Sequence, residues 1–206
     1  MRKALLLVPM TALLLLFACG GREGEDPFQA LQERFQSVTF VQTEAALTCN
    51  YQEEVRTYEL MCSYTPERSR VEVKAPETVA GVAAEWDAGA LTLSYDDVML
   101  DAGPYSDTDM SPMWAVPALL KAMAEGYPLE TGEEDLEDTE CLRVTYETGR
   151  GEENLLYHTV WLTREGTPLR GEISGEDGVM YTIEFQSFTI EETDYGTDAE
   201  TDLGGD

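Results

Sequence analysis

The chain has 206 residues, and its 41 acidic against 13 basic side chains leave a formal charge of -28 with a single His. So few cations cannot neutralise a phosphate backbone, which excludes a nucleic-acid binder. At 43% hydrophobic and 9% aromatic residues there is enough apolar material for one packed domain, and disorder along the whole chain is excluded.

The N-terminus opens with Arg2 and Lys3, continues with the apolar run Ala4 to Phe17 and ends in Leu16-Phe17-Ala18-Cys19. This is the pattern of a signal peptide over residues 1–18 that ends in a lipobox. A membrane-spanning helix needs about 20 apolar residues, whereas this run stops at 14 and contains Pro9. The expected mature chain begins at lipidated Cys19 and keeps 11 basic and 41 acidic side chains. Anionic headgroups would repel such a domain, so acyl chains on Cys19 would hold it at the membrane. Residues 19–26 form the lipidated Cys and a Gly-rich, charged tether.

Asp26-Pro27 reads as an N-cap followed by the first helical residue, with Phe28, Leu31 and Phe35 on one helical face. From Val38 the apolar period changes to two. Strand-like runs then recur at 38–49, 55–64, 68–74, 79–86, 90–95, 141–147, 155–163, 169–174 and 179–190. The turn segments Thr65-Pro66-Glu67, Asp87-Ala88-Gly89, Glu165-Gly166-Thr167 and Glu176-Asp177-Gly178 suit antiparallel neighbours. A second helix is expected over 117–124, with Leu119, Leu120 and Met123 apolar. The segment 130–140, seven of whose eleven residues are acidic, is expected to be a solvated loop. The domain therefore spans 27–190, and the acidic tail 191–206 is expected to be disordered.

Matching the apolar faces of 38–49 and 55–64 sets Val41 opposite Tyr64, Ala45 opposite Leu60 and Leu47 opposite Tyr58. In that register Cys49 faces Arg56 and Cys62 faces Thr43. The two sulfurs then stand roughly 20 Å apart, at about 3.3 Å per residue, so a Cys49–Cys62 disulfide is incompatible with the hairpin. With Cys19 lipidated, the pairing of Cys141 stays open. No CxxC pair, GxSxG elbow, P-loop, HExxH or dinucleotide glycine pattern occurs. His158 shares a strand face with Leu156, Val160 and Leu162, the position of a structural histidine. Asp107 and Asp109 lack the Gly and terminal Glu of an EF-hand and read as solvated charge. Neither a catalytic centre, a cofactor nor a metal site is expected.

The N-terminal helix, the run Tyr64-Thr-Pro66-Glu-Arg68-Ser-Arg70-Val-Glu72, then Pro76, Gly81 and Leu93-Ser-Tyr95-Asp96 resemble the lipoprotein carrier superfamily (LolA, LolB, LppX). Trp161, Pro168-Leu-Arg170-Gly-Glu172-Ile and Phe185-Gln-Ser-Phe188 are similar to its second half, and GerS-type clostridial germination lipoproteins resemble the chain most in segment order. The resemblance implies an α+β fold: a strongly curved antiparallel half-barrel with helices covering its concave face. It implies a hydrophobic ligand or lipidated protein held by Phe28, Leu31, Phe35, Tyr58, Leu60, Tyr64, Tyr95, Leu119, Leu120, Met123 and Trp161. Thr65 stands where the periplasmic carrier has a basic residue that helps latch the lid, which argues against a gated handover of lipoproteins, and the lipobox points to a membrane-tethered relative rather than a soluble shuttle. Its GerS-like form implies a partner, a cortex-modifying cell-wall amidase of spore formation and germination. Trp86, Tyr95, Trp114, Tyr146 and Trp161 are large enough to plug the concavity.

Overall fold

The computed structural model describes residues 26–51, 54–105, 111–148 and 155–193. Cys19, the signal segment, Asp107, Asp109 and most of the acidic tail lie outside the described residues. Helix α1 (Pro27–Gln36) starts as its sequence dictates: the Phe28 N–H donates to the Asp26 carboxylate at 3.1 Å, and Pro27 occupies the first helical position. The Ser37 hydroxyl donates to the Arg34 carbonyl at 2.8 Å and closes the helix.

Eleven strands follow: β1 (Val38–Tyr51), β2 (Glu54–Tyr64), β3 (Arg68–Ala75), β4 (Ala83–Asp87), β5 (Ala90–Tyr95), β6 (Val98–Pro104), β7 (Pro128–Leu136), β8 (Thr139–Thr148), β9 (Leu156–Leu162), β10 (Pro168–Gly175) and β11 (Gly178–Glu192). A 3-10 turn (Pro112–Trp114) leads into helix α2 (Ala115–Glu125) between β6 and β7. The strands form one open antiparallel sheet in the order β6-β5-β4-β3-β2-β1-β11-β10-β9-β8-β7. Consecutive strands pair throughout except β6 and β7, which form the two edges, and β11 returns to lie beside β1. This is the expected α+β half-barrel, with helices on its concave face.

The β1–β2 register agrees with the reading of the apolar faces: Val41 pairs with Tyr64, Ala45 with Leu60, Leu47 with Tyr58 and Cys49 with Arg56. Cys49, Cys62 and Cys141 are buried free thiols. Burial pushes the Cys49 thiol up to about 11 and raises Cys62 further. Burial is also the main cause of the rise at Cys141. All three are therefore protonated and unreactive at neutral pH.

Four segments depart from the sequence reading. Residues 130–140 are not a loop: β7 and the start of β8 occupy them, joined at Glu137 and Asp138. The acidic side chains fit a strand because β7 is the sheet edge, where nearly every residue meets water. β6 is likewise an edge strand with no apolar alternation; it pairs with β5 across the two-residue turn Asp96-Asp97. The strand expected over 79–86 begins only at Ala83, because Pro76 to Val82 fold into turns in which the Val79 N–H donates to the Pro76 carbonyl and Gly81 has φ +86°. β11 runs two residues past the expected domain end, and Glu191 pairs with Phe40.

The core lies on the concave side. Val41, Thr43, Ala45, Leu47 and Cys49 of β1 alternate inward, and across the sheet Leu47 pairs with Ile183 and Cys49 with Tyr181. α2 is apolar nearly all round because sheet and α1 surround it: Val116, Leu119 and Met123 have no solvent exposure. α1 covers the neighbouring part with Leu31 and Phe35. Arg34 anchors it by bonding Glu192 at 2.6 Å and the Glu165 carbonyl. The convex face carries cross-strand ion pairs, among them Arg170 with Glu184 at 3.6 Å and Arg143 with Glu130 at 3.1 Å.

Candidate binding groove

The concave face is filled where α2 lies on it. Nine residues expected there, Phe28, Leu31, Phe35, Tyr58, Leu60, Tyr64, Leu119, Leu120 and Met123, join one apolar cluster, with Phe28 and Tyr58 at its partly exposed margin. Two do not. Trp161 alternates with Val160 and Leu162, so its ring lies on the convex face, where the Arg170 guanidinium sits 5.7 Å from its centroid. Tyr95 continues the face of Leu91 and Leu93 but stands at the β5 hairpin end, 52% exposed.

Open space remains at one rim. A groove of about 680 Å³ is bounded by the β2–β3 turn (Thr65 to Glu67), the β4–β5 turn (Asp87 to Gly89), Tyr105, Trp114 and Lys121 of α2. Its concave wall is a ladder of directly paired residues, Tyr64 with Ser69 and Ser69 with Trp86. Tyr64, Ser69 and Trp86 are each at most 5% exposed. The turn on one side is closed by Thr65, whose N–H donates to the Arg68 carbonyl at 2.8 Å and whose hydroxyl oxygen accepts from the Arg68 N–H at 3.0 Å. Arg68 is held against Asp87 and Glu85, so its charge is compensated on the groove wall.

Three aromatic rings form the apolar end. Trp86 and Trp114 lie 4.9 Å apart, Tyr105 and Trp114 5.2 Å, and Trp86 and Tyr105 5.8 Å between centroids. Edge-to-face and tilted contacts at these separations hold the rings in fixed mutual orientations. The Tyr105 N–H donates to the Gly89 carbonyl at 2.9 Å, which brings the end of β6 back over the groove. The indole nitrogens of Trp86 and Trp114 are buried and have no hydrogen-bond partner among the described residues. Such N–H groups are usually paired when removed from water.

Of the residues expected to bind ligand, only Tyr64 lines this groove. Trp86 and Trp114 were legible as large aromatics near the concavity; Ser69, Tyr105 and Lys121 carried no distinguishing signal, because their meeting depends on the β5–β6 hairpin and on α2 folding back. His158 is 2% exposed, and its Nδ1 lies 3.0 Å from the Thr148 hydroxyl. Burial lowers it to about 4, so the ring is neutral at pH 7. Among the described residues no group of three or more His, Cys, Asp or Glu is placed to hold a metal ion, and no helix is long and apolar enough to cross a membrane.

No protein-family model matches the chain, and no curated protein matches it by sequence. Solved structures do. The chain is similar to the LolA superfamily protein NE2245 from Nitrosomonas europaea, with 11% identity and a TM-score of 0.45 over 81% of this chain and 93% of that one. It is similar to LprF from Mycobacterium bovis, with 12% identity and a TM-score of 0.39 over 79% of this chain and 90% of that one. It is also similar to a chain of the CwlD amidase complex with the GerS lipoprotein from Clostridioides difficile, with 15% identity and a TM-score of 0.40 over 82% of this chain and 97% of that one. The fold itself stands on its strand order: an open antiparallel half-barrel with helices on its concave face.

Proposed function

We propose that the chain is an extracytoplasmic binding protein without catalytic activity, held at the membrane by a lipid on Cys19, whose half-barrel receives a hydrophobic ligand or lipidated protein at the aromatic rim. The observation that carries this reading is the groove itself. α1 and α2 cover the apolar concave face as far as Trp86, Tyr105 and Trp114, and stop there. An apolar chain would lie against the ring surface that Trp86, Tyr105 and Trp114 present to the groove.

A second reading is favoured by the packing beneath α2. Leu119 and Met123 leave no room over β9–β11, so an occupant larger than the rim groove would meet outer surfaces instead. In that reading the protein supports a cortex-modifying amidase in spore formation and germination, as a GerS-like lipoprotein.

Native mass spectrometry and lipid extraction of the full chain from its own host separate the two. A non-covalent lipid, and uptake of the neutral probe N-phenylnaphthylamine that fatty acid displaces and Tyr105→Ala weakens, are the results expected of ligand binding. A mass accounted for by the lipidated polypeptide alone, with no probe uptake, would overturn that reading. Recovery of a cell-wall amidase on the same protein from sporulating cells would then establish the second.

A further inference from the structure

An open sheet has two edges, and here they are built differently. β7 exposes Glu130, Glu133, Glu134 and Asp135 and begins with Pro128, which are the devices that keep an edge from pairing with foreign strands. β6 exposes three consecutive large apolar residues, Val98, Met99 and Leu100, at 68%, 76% and 59%. Successive side chains of a strand point to opposite faces, so both faces of this edge are apolar. Among the described residues no strand pairs with its outer side, and alternate residues there turn backbone N–H and C=O groups outward.

The charge around this edge has one sign. Between Lys74 and Lys121 there is no basic residue and there are eight acidic ones. Asp96, Asp97 and Asp101 bracket the apolar trio, and all three are exposed. A second copy of the chain would bring both sets of carboxylates into one short ladder, which like-charge repulsion opposes. An anionic bilayer is repelled for the same reason. A segment that alternates basic and aliphatic residues meets both the carboxylates and the apolar side chains.

We propose that the outer edge of β6 is a docking site that takes an extended basic and apolar segment of another protein by strand addition. Main-chain bonds to the free edge supply affinity, aliphatic side chains of the segment cover Val98 and Leu100 on one face or Met99 on the other, and its cations reach Asp96, Asp97 and Asp101. This site is distinct from the groove and stands whether or not the groove holds a ligand.

The test uses the full chain and three capped peptides of about nine residues, a usual strand length: alternating Lys and Val, the same with alternate residues replaced by Pro, and alternating Glu and Val. The Lys/Val peptide is expected to protect amides of residues 98–102 from hydrogen exchange. It should bind at least about tenfold more tightly than the other two and weaken as salt rises. The Met99→Lys/Leu100→Lys double variant should lose at least about tenfold in affinity; Asp101→Asn, which leaves the apolar edge intact, should lose several-fold and become less sensitive to salt. Equal binding of the Pro-containing peptide would rule out strand addition, and equal binding of the Glu/Val peptide would rule out a basic partner. Protection that appears without peptide as protein concentration rises, or that phosphatidylcholine vesicles produce and the Lys/Val peptide does not, would assign the edge to self-association or to lipid and overturn the proposal.

Discussion

Gly171 of β10 lies beneath Leu119 of α2, and a methyl group built on Gly171 would overlap the Leu119 Cδ2 atom. Gly171 lacks the positive φ found at several other glycines, so its role is close approach. With Leu119 wholly buried, that contact sets how deeply α2 sits in the half-barrel. Gly171→Ala should therefore destabilise by about 1–3 kcal/mol through overpacking, and Leu119→Ala by about 2–5 kcal/mol through the cavity it leaves. Because the added methyl fills part of that cavity, the double variant should be more stable than the sum predicts, by about 0.5–3 kcal/mol. Urea unfolding of the four proteins measures this coupling; strict additivity would show that α2 does not rest on Gly171.

His158 makes stability depend on pH with a definite sign. Burial holds the folded imidazole down at about 4, against 6.5 when exposed, so between these values the unfolded chain binds the proton and the folded chain does not. Stability attributable to this residue is complete above about 6.5, declines as pH falls, and levels off below about 4. The loss is at most roughly 3 kcal/mol. The unfolding free energy of the parent minus that of His158→Leu, measured from pH 7.5 to 4, cancels the carboxylates common to both. That difference should fall across the window, and a flat one would mean that the ring is solvated.

Changing Cys19 to Ser should release the protein from membranes while leaving its melting curve unchanged, since α1 begins eight residues later with its own cap at Asp26. Fractionation in high salt with a parallel thermal melt checks both halves. A Cys19→Ser protein that still pelleted with membranes would require a different anchor.

Much of the architecture was legible because alternation is a local property. β1 and β2 have one buried and one wet face, so matching their apolar residues yields the observed register down to Cys49 opposite Arg56. Asp26-Pro27 marks the start of α1 for an equally local reason, since the cap and the fixed proline φ act within one turn. The edge strands β6 and β7 were not legible as strands, because water on both sides removes the alternation that identifies one. The placement of Trp161 on the concave face conflicted with the alternation itself: His158, Val160 and Leu162 point inward, and a period of two sends residue 161 outward.

Local patterns in the chain were enough for the strand-rich periodicity, the amphipathic α1 and the absence of the catalytic motifs sought. Long-range packing was needed to bring β11 back beside β1, to seat α2 in the concavity against Gly171, and to make Trp86, Tyr105 and Trp114 meet at an open rim. Periodicity reports whether a side chain faces water or core. It does not report which distant segment supplies that core, because this choice minimises exposed apolar area over the whole sheet at once.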